Sequence, residues 1–235
     1  LQLGGNDGAG DQLTRTAHDL LGPDALNDGG PSFHSSTGNL YDDNADLMND
    51  IDDGNNITYI LPKMGGLTVG VSYEDKGSAN DENDDEQVFA AKYEFTSGAV
   101  KGSLHIGVNS ISGASAGTAS TNAQSIGIDI SSGPFRAVMA KAEADTSTAS
   151  VKTEVTDYGI QYNLGNGLVL TAVGTQVEEN TGGETLDVTS VGAKYNIASG
   201  LDAYLTYHDY DYKAGLSGAT SDDGSSTSLT LKASF

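Results

Sequence analysis

Eleven aspartates and a single base, Arg15, occupy the first 55 residues of this 235-residue chain: Asp7, Asp11, Asp19, Asp24, Asp28, Asp42, Asp43, Asp46, Asp50, Asp52 and Asp53. Carboxylates at this density make a field that concentrates cations and repels anions. Low-dielectric walls around a narrow aqueous passage strengthen that field. The densest group is Asp42, Asp43, Asp46, Asp50, Asp52 and Asp53, and these are the residues expected at a constriction. A solvated acidic loop outside any passage has the same composition, so placement decides between the two.

A second acidic run, Asp81-Glu82-Asn83-Asp84-Asp85-Glu86, offers hard oxygen ligands of the kind calcium takes. Asp81, Glu82, Asp84 and Asp85 are its candidate ligands, and calcium is the one cofactor the sequence suggests. The run Asp42-Asp43-Asn44-Ala45-Asp46 has Leu47 at the sixth position, where an EF-hand loop needs glycine. Acid runs of both kinds are also simply solvated surface. Catalytic chemistry has little to build on. His34 and Ser36 lie close in sequence, but in a loop and without a motif around them. Gly4-Gly5-Asn6-Asp7-Gly8-Ala9-Gly10 has no Lys-Ser/Thr after it, so it is not a phosphate loop.

Composition narrows the class. The formal net charge of −22 argues against nucleic-acid binding, which needs Lys and Arg against phosphate. There is no cysteine, so disulfides and thiolate metal sites are excluded. The hydrophobic share is 37%, low for a globular domain, yet the apolar residues recur at every second position. A wall that needs only one greasy face has this composition. No apolar run approaches the length of a membrane-spanning helix, and no signal peptide is present.

The elements that would position the acids are strands. Alternation predicts them near 56–62, 67–75, 87–95, 99–110, 123–131, 135–145, 155–164, 168–178, 185–197, 201–212 and 225–235. In the last, Leu229, Leu231, Ala233 and Phe235 alternate with Ser228, Thr230, Lys232 and Ser234. Tight joins carry turn residues, as in Gly65-Gly66, Ser97-Gly98, Ser132-Gly133-Pro134, Gly165-Asn166-Gly167 and Ser199-Gly200. Between them come mostly longer, polar joins. Short turns on one rim and loops on the other make the up-and-down barrel pattern. Alternation alone leaves open whether the greasy faces look outward or pack on each other in a sandwich. Aromatic placement favours the barrel. Phe95, Phe135, Tyr162, Tyr195 and Phe235 lie near the turn ends, and Tyr73, Tyr207, Tyr210 and Tyr212 near the loop ends, as two interfacial girdles would.

Residues 6–55 form one long connection after a short strand at Leu1–Gly5. Leu13, Ala17, Leu20 and Leu21 follow helical spacing after Asp11, with Gly22-Pro23 as the stop, and Leu47, Met48 and Ile51 could form a second apolar turn. Such residues need a surface to pack on, which favours a loop folded inward.

The chain resembles the Gram-negative general porins. The resemblance rests on Asn56-Ile57-Thr58-Tyr59-Ile60-Leu61-Pro62, then Gly65-Gly66 and the alternating Leu67–Tyr73. It rests also on Lys194-Tyr195-Asn196 through Gly200-Leu201-Asp202-Ala203-Tyr204, and on the closing Phe235. It covers most of 56–235, and its specificity lies in the order of these segments. It implies an all-β fold: an antiparallel up-and-down transmembrane β-barrel with a long inward-folded constriction loop, here 6–55, and barrel strands, turns and external loops over 56–235. Leu1–Gly5 then corresponds to the fifth of the family's sixteen strands, which implies further strands before it or a smaller barrel. The family further implies an outer-membrane location among lipid and lipopolysaccharide, a homotrimer, passive diffusion of small hydrophilic solutes and cations, and Phe235 as a C-terminal assembly signal.

Lys63, Lys92, Lys101, Arg136, Lys194 and Lys232 all fall close to tight turns or the C-terminus, whereas acids gather in the loops. This predicts a basic periplasmic rim and an acidic outer mouth. His105, Lys141, Lys92, Lys101 and Lys194 are the candidate basic residues of the pore wall. The alternative of a different class is a soluble or surface-attached acidic all-β adhesin or calcium-binding surface protein. A barrel lipase using His34 and Ser36 is a more distant one.

Overall fold

The computed structural model describes residues 1–24, 55–75, 85–111, 121–146, 151–180, 182–215 and 220–234. Strict alternation needs neighbours on both sides, and the chain supplies them in sequence order. The strands are β1 (Gln2–Gly5), β2 (Asn55–Ile60), β3 (Leu67–Glu74), β4 (Glu86–Ser97), β5 (Val100–Ile111), β6 (Thr121–Ser132), β7 (Phe135–Thr146), β8 (Val151–Gly165), β9 (Leu168–Glu179), β10 (Thr185–Ala198), β11 (Leu201–Lys213) and β12 (Asp222–Ala233). Each pairs antiparallel with the next, in one 12-stranded up-and-down sheet. Among the described residues β1 and β12 are its two edges, and no ladder joins them. Among the described residues no helix is long and apolar enough to cross a membrane, which says nothing of strands.

The tight turns fall where glycine makes them inexpensive. Gly165, Asn166 and Gly167 all take positive φ (80°, 52° and 81°), and Asn166 is the one non-glycine residue among those described to do so. Asparagine tolerates that region because its short side chain bonds locally; here the Asn163 side chain also accepts from the Gly165 N–H at 2.9 Å. Ser132-Gly133-Pro134-Phe135 closes with Gly133 at φ 56°, and Ser132 faces Phe135 across it.

Facing settles what alternation left open. Ile126 (61%), Ile160 (64%) and Leu229 (74%) are exposed on the convex face. Thr58, Ser190, His208 and Asp157 are buried on the concave one. A sandwich would bury the first set and wet the second. The wall is therefore greasy outside and polar inside, as a strand-built membrane span must be.

The outward apolar band also slants. Toward the loop ends its last members are Tyr73 on β3, Val108 on β5, Ile126 on β6, Met139 on β7, Val191 on β10, Tyr207 on β11 and Leu229 on β12. Read through the strand register, this boundary slips by about ten residues across the nine strand-to-strand steps from β3 to β12. At about 3.3 Å per residue and about 4.8 Å per strand, that is a tilt of roughly 35–40°. A flat bilayer boundary drawn on strands tilted as in a barrel has this slope. Tyr73, Phe89, Tyr158 and Tyr207 lie along the upper boundary. Phe135, Tyr162 and Tyr195 lie along the lower one, and the Phe135 and Tyr162 rings meet at 4.7 Å.

Two expectations are corrected. Tyr210 and Tyr212 do not join the upper girdle. They differ from Tyr207 by an odd number of positions, face inward, and pack with Val155, Val177, Leu186 and Val188 in an apolar cluster inside the loop-end rim. The predicted helix around Leu13–Leu21 is instead two short pieces, α1 (Ala9–Leu13) and a 3₁₀ segment (His18–Asp24), with extended chain between. Gly22, with φ 71°, kinks the second piece, and the helical turn resumes through Pro23 to Asp24. Contacts with the wall, set out below, outweigh the local helical spacing.

Candidate channel lining

After β1 the chain turns back and lies along the concave face. It is held at two places, each built from a glycine and a polar side chain on the same strand. On β3, Ser72 Oγ accepts the N–H of Ala9 at 2.6 Å. Two residues away, Gly70 has no side chain to obstruct the segment. A Cβ there would lie 3.0 Å from both Ala9 Cβ and Leu13 Cδ1, and 2.5 Å from Ile60. Ala9, Leu13 and Ala90 are buried together over Ile60. Asn6 donates to Asn56 Oδ1 at 2.7 Å, Asn56 donates back to the Asn6 carbonyl, and Thr58 bonds Ser72 at 2.9 Å.

On β8, Asp157 Oδ2 accepts the N–H of Ala17 at 2.5 Å and lies 3.3 Å from His18 Nδ1. Its other oxygen accepts from the Ala140 N–H at 3.1 Å. Gly159 is the companion glycine: a Cβ there would meet Leu20 Cδ1 at 3.0 Å and Ala17 Cβ at 3.2 Å. Gln161 and Thr171 donate to the Leu20 carbonyl at 3.3 and 3.4 Å. Ala17, Leu20 and Leu21 pack on Val138 and Val173, and Leu21 also covers Gly192. Tyr204 lies flush against Gly22. Apolar burial and satisfied backbone donors thus fix both ends of the segment. A buried carboxylate holding backbone N–H groups is worth more than a neutral bond.

Between the two places Thr14 is buried and its Oγ1 bonds the Gly10 carbonyl at 2.8 Å. The Thr16 N–H donates to Asp19 at 3.0 Å. The Arg15 N–H points at His105 Nε2, 3.4 Å away, while the Arg15 side chain is exposed. His105 lies over Gly127, where a Cβ would overlap its ring.

The candidate residues distribute as follows. Lys92, Lys101, His105 and Lys194 stand on the concave face. His105 is sealed beneath the docked segment, 1% exposed. Lys92 is its cross-strand neighbour on β4. Lys194 is ion-paired with Asp202 at 2.8 Å, and its ammonium sits 5.4 Å from the Tyr204 ring centre. Half of the predicted basic rim is paired, since Lys63 meets Glu94 at 2.5 Å and Arg136 meets Asp129 at 2.6 Å beside the Lys194–Asp202 pair, whereas Lys92, Lys101 and Lys232 have no ion pair among the described residues.

Lys141 is on the other face. It is the register partner of outward Ile126, while Val138 and Ala140 on its own strand look inward. There Lys141, Glu143, Lys152 and Glu154 close a four-membered ring of ion pairs, with separations of 3.3, 2.9, 3.2 and 2.7 Å. Asp42, Asp43, Asp46, Asp50, Asp52, Asp53, His34, Ser36, Asp81, Glu82, Asp84 and Phe235 lie outside the described residues; Asp85 directly precedes β4. Among the described residues no three His, Cys, Asp or Glu side chains are grouped as a metal site requires. Sequence reasoning missed the docking residues Ser72, Asp157, Gly70, Gly159 and Gly192. Their signal was the run of small and polar residues on otherwise ordinary strands.

The family model described as Gram-negative porin matches residues 1–215. The chain belongs to the Gram-negative porin family. Porins are outer-membrane channel proteins and not enzymes, so the adhesin and lipase alternatives fall, and the location is the outer membrane. No curated protein sequence matches this porin significantly. Among solved structures it is similar to the anion-selective porin from Comamonas acidovorans (14% identity, TM-score 0.53, covering 76% of this chain and 58% of that one). A porin refined at 1.8 Å resolution gives 16% identity and a TM-score of 0.66, covering 99% of this chain and 76% of that one. OmpT of Vibrio cholerae gives 15% identity and a TM-score of 0.57, covering 97% and 73%. At these identities the likeness is one of fold. This porin spans 58% of the length of the first of these structures and about three quarters of the other two.

Proposed function

We propose that this porin forms a water-filled channel for passive diffusion of small hydrophilic solutes, that it prefers cations, and that it works as a homotrimer among lipid and lipopolysaccharide. The observation that carries the reading is the concave face itself: it is polar, and an acid-rich segment is docked onto it at Ser72 and Asp157. A loop fixed to the inner wall narrows a passage, whereas a loose external loop does not. The net charge of −22 supports the cation preference, because a field of one sign persists through a narrow aqueous path. Asp42, Asp43, Asp46, Asp50, Asp52 and Asp53 belong to the same connection and are the proposed constriction acids. Calcium at Asp81, Glu82, Asp84 and Asp85 is a subsidiary part of the reading.

The test is conductance in planar bilayers under a potassium chloride gradient. The expected result is open channels whose reversal potential has the sign of cation preference. Changing the six constriction acids to Asn should move that potential toward zero. An unchanged potential would remove them from the constriction.

A further inference from the structure

Arg15 is the single base in the first 55 residues, and it sits in the middle of the docked segment. Its backbone cannot wander. Thr14 on one side is buried, and the Ala17 N–H on the other is held by Asp157 at 2.5 Å. Yet the Arg15 side chain is exposed while Leu13, Thr14, Ala17 and His18 around it are buried. A fixed backbone with one free side chain makes a bracket: the segment presents this guanidinium to the space that the concave face encloses.

The local charge balance points the same way. Acids on the neighbouring wall are already engaged. Asp157 holds Ala17, Ala140 and His18. Asp129 takes a two-point grip from Arg136 at 3.1 and 2.6 Å. Asp19 caps the Thr16 N–H. Arg15 has no ion pair among the described residues, and neither has Lys92, the register partner on β4 of the His105 that faces the Arg15 N–H. A strongly acidic chain therefore keeps Arg15 without an ion pair on its lining, with Lys92 and Lys101 also unpaired among the described residues on the adjoining strands β4 and β5, although Lys92 lies near enough to Glu94 to act on its charge.

We propose that Arg15, backed by Lys92, is a selectivity-setting residue of the channel, and that it provides a transient foothold for the carboxylate or phosphate group of passing anionic solutes. The planar guanidinium fork suits both groups, and a flexible ammonium adds charge without geometry. Within a channel of overall cation preference, this one position acts against that preference. The inference rests on the channel reading above.

The absence of cysteine makes a clean test available. Arg15→Gln should raise the cation-to-anion permeability ratio about twofold or more, and Arg15→Glu further, with channels otherwise open as before. Arg15→Cys, labelled in the folded channel, should follow the charge of the label. A methanethiosulfonate carrying an ammonium returns the ratio toward wild type, and one carrying a sulfonate drives it past Arg15→Gln. Lys92→Gln should shift the ratio in the same direction by less. A ratio unchanged in Arg15→Gln and Arg15→Glu, or a residue-15 thiol that does not react in open channels, overturns the proposal and leaves the channel reading intact. A wild-type protein that conducts nothing overturns both together.

Discussion

Asp157 on β8 and Ala17 on the inward segment are joined across 140 positions of sequence by one 2.5 Å hydrogen bond, from the Ala17 N–H to a carboxylate that is 2% exposed. A second donor, Ala140 N–H, and the His18 ring complete the shell of this carboxylate. With the Ala9–Ser72 bond it is one of two buried side-chain holds on the backbone N–H groups of the segment.

Asp157→Ala is therefore expected to release the segment. It strands the Ala17 N–H in a buried site, at a cost of about 1–3 kcal/mol to docking. The barrel should survive, because its strand ladders do not pass through this side chain. Limited proteolysis of the folded protein should cut near residues 14–20 in the variant and not in the wild type. Channel recordings should show larger, noisier openings. Wild-type protease resistance would show that the glycine contacts alone suffice.

Gly159→Val is expected to have the same effect by a steric route. Even a single Cβ would sit 3.0 Å from Leu20 and 3.1 Å from Val173, so the valine methyls have nowhere to go unless the segment lifts. Gly165→Ala is a control on the same strand, where an added Cβ meets nothing and the effect is confined to turn strain at φ 80°. Conductance should change in the first variant and not in the second.

Ile160→Arg tests the facing of the wall. Ile160 looks out within the apolar band, and a cation there costs about 2–4 kcal/mol at mid-bilayer. Urea titration of folding into lipid vesicles should show that loss. Glu154→Arg, also outward but in the ionic ring above the band, should cost far less. Equal losses would contradict the slanted boundary.

Lys141→Gln is expected to leave selectivity unchanged, because Lys141 stands on the convex face. Its pairs with Glu143 and Glu154 are exposed and screened by solvent, so stability should fall only slightly. A shifted reversal potential would put Lys141 back in the lining.

Strands and turns were legible because they follow from local chemistry. Period-two patterning and Gly-rich turns are written into consecutive residues, and β3, β5 and β11 begin and end close to where alternation placed them. Facing was legible only where one face was plainly polar. On β7, Ala137, Met139 and Lys141 compete with Val138, Ala140 and Ala142, so nothing within the strand says which set is inside; pairing with Ile126 does. For Tyr210 and Tyr212 residue type was weighed above parity, and parity was right. That Leu13, Ala17, Leu20 and Leu21 fold inward against the wall was legible from their spacing; where on the wall residues 9–24 dock was not, because Ser72 and Asp157 hold them from 63 and 140 positions away.

The slip of the greasy boundary, which averages about one residue per strand, has a consequence for how such a wall can change. Each added hairpin carries the boundary further in the same direction. A hairpin gained or lost therefore alters the girth and leaves the rest of the wall seated at its old depth. A single residue inserted within a strand would turn every side chain beyond it inside out. Length changes should accordingly accumulate in the loops, and changes of bore should come as whole hairpins.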